Sequence, residues 1–153
     1  MTIQPAADTD LELISSLIRK EFPYTEATLD KLRQRLAGKK LFLFKQVEGG
    51  QLIGFIEVEA LNMARARING LVVREGFRGK GNAHALLQFA MDFIKQQGFK
   101  EITLLVRQSN EAAKKLYGEH GFAFLRPHAV KLVDEPVEEW YLSLFTEPPC
   151  GVC

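Results

Sequence analysis

Apolar residues change their spacing several times along the chain, from every third or fourth position to every second and back. A period near 3.6 predicts a helix with one buried stripe, and a period of two predicts a half-buried strand. Ile3 to Pro5 reads as a short first strand, followed by a helix capped by Asp8 or Asp10 with Leu11, Ile14, Leu17 and Ile18 on one face. Phe22-Pro23-Tyr24 interrupts that pattern. Thr25, Thr28, Leu29, Leu32 and Leu36 then predict a second amphipathic helix stopped by Gly38. Leu41 to Val47 and Leu52 to Glu59 alternate like strands, and Glu48-Gly49-Gly50-Gln51 between them suits a tight hairpin. A third strand runs from Ala66 to Val73. After a Gly- and Arg-rich turn comes a helix burying Leu86, Phe89, Ala90, Phe93 and Ile94, ended by Gly98, and then a strand from Glu101 to Val106. That strand, helix and strand form a crossover unit, so its two strands are expected to be parallel. A short helix from Asn110 to about Gly118 precedes strands near Phe122 to Arg126 and Val137 to Phe145, turning at Asp134-Glu135-Pro136. The order predicts a mixed α/β domain.

Composition narrows the picture. With 153 residues, 46% of them hydrophobic, the chain suits one domain, taken here as residues 1–146 with a flexible tail at 147–153. Cys150 and Cys153 are the only cysteines, so no disulfide framework is expected and a reducing, cytoplasmic setting fits best. Twenty basic residues against 19 acidic ones leave a net charge of +1, without the basic stripe that nucleic acid requires. The first eight residues carry neither the basic region nor the apolar stretch of a signal peptide, and no segment reaches the length of a membrane span. His84, His120 and His128 lack metal-ligand spacing, and the terminal C-x-x-C lacks two further ligands, so no metal is expected.

The segment with most chemistry is Arg78-Gly79-Lys80-Gly81-Asn82-Ala83, between an apolar strand and an amphipathic helix. Helix-start amides have no intrahelical partner and carry about half a positive charge, and Gly79 and Gly81 allow close approach to the backbone. A phosphate is the natural guest. The P-loop pattern fails because Gly81 follows Lys80, and the dinucleotide pattern G-x-G-x-x-G fails because His84 stands where its last small residue belongs. The segment instead resembles the R-x-x-G-x-[GA] signature of the GCN5-related N-acetyltransferase (GNAT) superfamily. Asn110-Glu111-Ala112-Ala113-Lys114-Lys115-Leu116-Tyr117 with Gly121-Phe122 is similar to that family's N-x-x-A-x-x-x-Y-x-x-x-G-F segment. Glu75 stands where many members carry Pro.

The resemblance implies a GNAT-like fold: a central, mostly antiparallel sheet, a parallel strand pair splayed around the cofactor, and helices on both faces. It implies acetyl-CoA as cosubstrate, an amine acceptor from a small molecule or a protein, and direct attack without a covalent enzyme intermediate. The diphosphate would lie on Arg78, Gly79, Lys80, Gly81, Asn82 and Ala83, and the pantetheine arm on the backbone of Leu71, Val72 and Val73 and on Asn110. Tyr117, whose phenol has an ordinary pKa of about 10 against about 8.5 for a thiol, is the candidate general acid. Glu57 and Glu59 are the candidate bases. Strand alternation puts both on one side, facing either the cleft or water, with water the expectation. A water relay serves as well. Phe22 and Tyr24 are candidates for lining the acceptor pocket. Arg65 and Arg67 could recognise an acidic group on the acceptor or simply solvate a strand end. Trp140 is either pocket or core. A homodimer is compatible with all this. A non-catalytic acyl-CoA-binding module, or an acyltransferase using another donor, is the alternative.

Overall fold

A computed structural model describes residues 2–22, 28–129 and 135–144. Its strands are β1 (Thr2–Pro5), β2 (Leu41–Glu48), β3 (Gln51–Ala60), β4 (Arg65–Val73), β5 (Glu101–Arg107), β6 (Ala123–Pro127) and β7 (Val137–Ser143). The α-helices are α1 (Leu11–Glu21), α2 (Leu29–Ala37), α3 (Asn82–Gln96) and α4 (Glu111–Glu119). The strands form one seven-stranded sheet in the order β1-β2-β3-β4-β5-β7-β6. Neighbours are antiparallel except β4 and β5, the strands flanking the α3 crossover. This is the mixed architecture expected. Tyr24, Phe145 and the tail with Cys150 and Cys153 lie outside the described residues.

Each face of the sheet is closed by its own apolar layer. Leu86, Leu87, Ala90 and Ile94 of α3 pack on Ile56, Val58, Ala66, Ile68, Ile102 and Leu104. On the other face, Leu11 and Ile14 of α1 and Leu32 of α2 meet Leu41, Leu43, Phe55 and Val72. Phe44 holds α3 through edge contacts to Phe89 and Phe93, with centroids 5.0 and 4.8 Å away. Gly54 permits the close layering. A Cβ there would stand 2.7 Å from the Val72 carbonyl oxygen and 3.1 Å from Leu86 Cδ1.

Three local details go beyond what the sequence indicated. Gly38 caps α2 with an ordinary φ of −70°, and the left-handed residue of that turn is Lys39 at +59°. Thr28 caps α2 by accepting from the Lys31 amide. β7 inserts between β5 and β6, so the last hairpin reaches the sheet through its second strand. Gly49 and Gly50, both at positive φ, turn the β2–β3 hairpin as expected.

Candidate active site

The cleft begins with a bulge. Glu57 pairs with Gly70 and Val58 with Ile68, which leaves Asn69 as the extra residue on β4. The parallel register between β4 and β5 stops at Ile68 and Leu104, and beyond it the two strands diverge. A cavity of about 100 Å³ opens in this splay, lined by Phe22, Ile68 to Leu71, Leu105 to Arg107, Asn110, Ala113 and Tyr117. Main-chain groups of β4 beyond Ile68 that point away from β3 therefore face this cavity.

At the end of β4 the chain enters the glycine-rich turn. Gly76, Gly79 and Gly81 all have positive φ, and Gly81, at +81°, is the N-cap of α3. The Gly81 carbonyl accepts from the Ala85 amide. The amides of Gly79 through His84 have no backbone partner among the described residues, and a Cβ on Gly79 or Gly81 would meet nothing within 4 Å. Six main-chain donors without a backbone partner thus gather at the positive end of a helix, with open space beside Gly79 and Gly81.

The side chains around this turn brace it. Arg78 donates from Nε to the Val73 carbonyl at 2.7 Å and from Nη2 to Glu21 at 2.8 Å. Asn82, buried, donates to the Phe77 carbonyl at 2.8 Å and accepts from Gln46 at 3.4 Å. Lys80 holds its ammonium 5.8 Å from the Phe77 ring centre. Ala83 packs on the α3-side core. Of the three β4 residues expected to hold the cofactor arm, Leu71 lines the cavity, while Val72 and Val73 bury their side chains in opposite apolar layers.

Asn110 caps α4, its Oδ1 accepting from the Ala113 amide at 3.1 Å, and lines the cavity. Tyr117 lies two turns on, buried against Phe122 with a ring separation of 5.9 Å. Burial raises its hydroxyl to about 12, so it stays protonated throughout the neutral range. Phe22, at the end of α1, lays its ring edge over Gly70, where a Cβ would come within 3.6 Å.

The two carboxylates are not solvated in the way strand alternation suggested. Glu57 is buried and accepts both Nη atoms of Arg35 at 3.1 and 2.8 Å. The guanidinium from α2 supplies the counter-charge that makes this burial tolerable. Glu59 accepts from Asn69 at 2.9 Å and from Arg67 at 3.4 Å. Desolvation by burial acts to raise its pKa, but the Asn69 hydrogen bond and the Arg67 and Arg35 charges outweigh it and hold Glu59 below the usual carboxylate range. Arg67 also donates to Asn69 at 2.9 Å, and Arg65 pairs with Glu101 at 2.5 Å. Both arginines of β4 are therefore already matched to acids. The sequence pointed to neither Arg35 nor the bulge at Asn69, because both depend on which strands and helices become neighbours. Trp140 packs against the α3-side core and donates to Glu138.

Among the described residues no group of three His, Cys, Asp or Glu could hold a metal ion, and no helix is long and apolar enough to cross a membrane. The family model described as Acetyltransferase (GNAT) family matches residues 11–122. The chain is 30% identical over 133 residues to an uncharacterized N-acetyltransferase, YhfO, of Bacillus subtilis, covering 80% of this chain and 89% of that protein. It is 26% identical over 123 residues to the [ribosomal protein bS18]-alanine N-acetyltransferase of Escherichia coli, covering 79% and 80%. The fold superposes on spermidine N-acetyltransferase from Vibrio cholerae, solved with CoA and spermine, with a TM-score of 0.80 at 21% identity over 93% and 94% of the chains.

Proposed function

The chain belongs to the GNAT acetyltransferase family, and on that premise we propose that it transfers an acetyl group from acetyl-CoA to a primary amine of a small molecule or a protein, in the cytoplasm. One observation carries the reading: beyond Ile68 strand β4 parts from β5 around a cavity lined by Asn110 and Tyr117, and the same strand leads after Val73 into a turn whose amides from Gly79 to His84 have no backbone partner among the described residues. The amides of Gly79 to His84 would take the diphosphate. Main-chain donors near Leu71 would take the arm and polarise the thioester carbonyl as negative charge develops on its oxygen.

The acceptor amine, as the neutral base, attacks the thioester carbon directly. A C–N bond forms, the C–S bond breaks, and the sulfur leaves with the bonding pair. Tyr117 donates to that sulfur. Against a thiol of about 8.5, full transfer from a phenol at about 12 is uphill by on the order of 5 kcal/mol, so the proton must be replaced as it leaves. The amine's own surplus proton can supply that replacement through water. Glu59, bonded to the bulge residue Asn69, is our candidate to relay that proton, whereas Glu57 is held by Arg35 and serves to position α2 on the sheet. Phe22 walls the acceptor side over Gly70. The acceptors named for the relatives, a polyamine and a protein alanine, are both amines, which supports the class without choosing a member.

Thiol release from acetyl-CoA, measured across a panel holding a polyamine, an aminoglycoside and a peptide with a free N-terminus, tests this. Turnover is expected on at least one amine. Tyr117→Phe should lower kcat by about 100-fold while leaving the acetyl-CoA Kd nearly unchanged. Cofactor binding without release on any amine, indifferent to Tyr117, would favour a binding module. Propionyl- and succinyl-CoA run in parallel would expose a preference for another donor.

A further inference from the structure

His84 and His120 bridge the two helices that flank the cradle. His84 is the third residue of α3, one turn inside the open amide run, and His120 follows Tyr117 by three residues at the end of α4. His84 Nδ1 lies 3.0 Å from His120 Nε2, and the rings are 5.2 Å apart. His84 Nε2 lies 3.4 Å from a carboxylate oxygen of Glu119. Two facing imidazole nitrogens this close need one N–H between them, and the chain from Glu119 through His84 to His120 can accommodate one extra proton.

The placement of that proton matters. A cation at the start of α3 opposes the positive end of the helix dipole, while one at the end of α4 is favoured. Burial and the neighbouring His84 hold His120 below the ordinary imidazole value, with Glu119 acting in the other direction. Few other charges bear on the pair. Lys80 is held over Phe77, Arg78 is turned to Glu21, the residue one turn further along α3 is the neutral Gln88, and the Tyr117 phenol stays protonated. An anion arriving at the amides removes the penalty on a cation at the helix start.

We propose that the His84–His120 pair is a proton-linked part of the diphosphate site, taking up a proton when coenzyme A binds, so that cofactor affinity rises as pH falls. This rests on the cradle being the diphosphate site. The sign follows from linkage: a pair that holds its proton more tightly in the complex strengthens binding at low pH, and the gain is lost as pH rises through the bound-state titration.

Dephospho-CoA is the probe, because the 3′-phosphate of CoA itself titrates near pH 6. Calorimetry at several pH values from 5.5 to 8.5, in two buffers of different ionisation enthalpy, reads Kd and proton uptake together. The full chain should take up a fraction of a proton within this range, and Kd should weaken about tenfold from its acid end to its alkaline end. His84→Gln and His120→Gln should each flatten that dependence. Binding with no proton uptake, or with the same pH slope in both variants, overturns the proposal and leaves the cradle standing. No binding of dephospho-CoA at any pH overturns the cradle and this proposal with it.

Discussion

Gly81 separates the backbone's need for glycine from the ligand's need for space. It sits at φ +81° as the cap of α3, and a Cβ there would meet nothing within 4 Å. Any L-residue at this position loses roughly 1–2 kcal/mol to the left-handed conformation. At this chain length that corresponds to a fall of about 2–8 °C in Tm. Gly81→Ala and Gly81→Leu share that penalty, but only the leucine projects far enough to occupy the space over the Gly79 to His84 amides. Blocking two hydrogen bonds to a charged diphosphate, each worth about 1.5–3 kcal/mol, removes about 3–6 kcal/mol of binding. Affinity for acetyl-CoA should therefore fall by about 10² to 10⁴ between the alanine and leucine variants. Calorimetry with acetyl-CoA, paired with thermal unfolding of both proteins, measures the two effects apart. A leucine variant that melts with the alanine variant and binds within about twofold of it would refute the assignment of that space to the cofactor.

Other expectations concern what holds the cleft in shape. Arg35→Ala strands the buried Glu57 carboxylate and should cost about 3 kcal/mol, whereas Glu57→Gln leaves a half-exposed guanidinium and should cost about 1 kcal/mol, with urea unfolding to rank them. The reverse ranking would mean that the pair does not anchor α2. Gly54→Ala must displace the Val72 carbonyl or Leu86 and should lower stability by about 1–3 kcal/mol, and an unchanged Tm would contradict the close approach of β3, β4 and α3. Because the folded state lowers the Glu59 pKa, its ionic contacts add stability that is complete above about pH 5 and fades as pH falls through the lowered value. The stability difference between the native chain and Glu59→Gln should follow that course, and a difference persisting unchanged at pH 2 would deny it.

The hydrophobic periods and the punctuating glycines were enough to locate nearly every element, because helices and strands bury a stripe or a face whose spacing is local. The β2–β3 hairpin at Gly49-Gly50, α3 from Asn82 to its stop at Gly98 and the α4 cap at Asn110 all fall where the residues placed them. The glycine-rich turn at Gly79 and Gly81 was legible for the same reason: contiguous residues set its left-handed conformations and the start of α3. What lay beyond local reach was pairing across the fold. The neutralising of Glu57 by Arg35, 22 residues away, the bulge that makes Asn69 a partner of Glu59, and the insertion of β7 beside β5 depend on which surfaces meet. Alternation could say that Glu57 and Glu59 share a side of β3. Only the arrival of α2 on that side, carrying a cation, decided that one of them would be buried rather than wet, since an unpaired carboxylate could not have stayed there ionised.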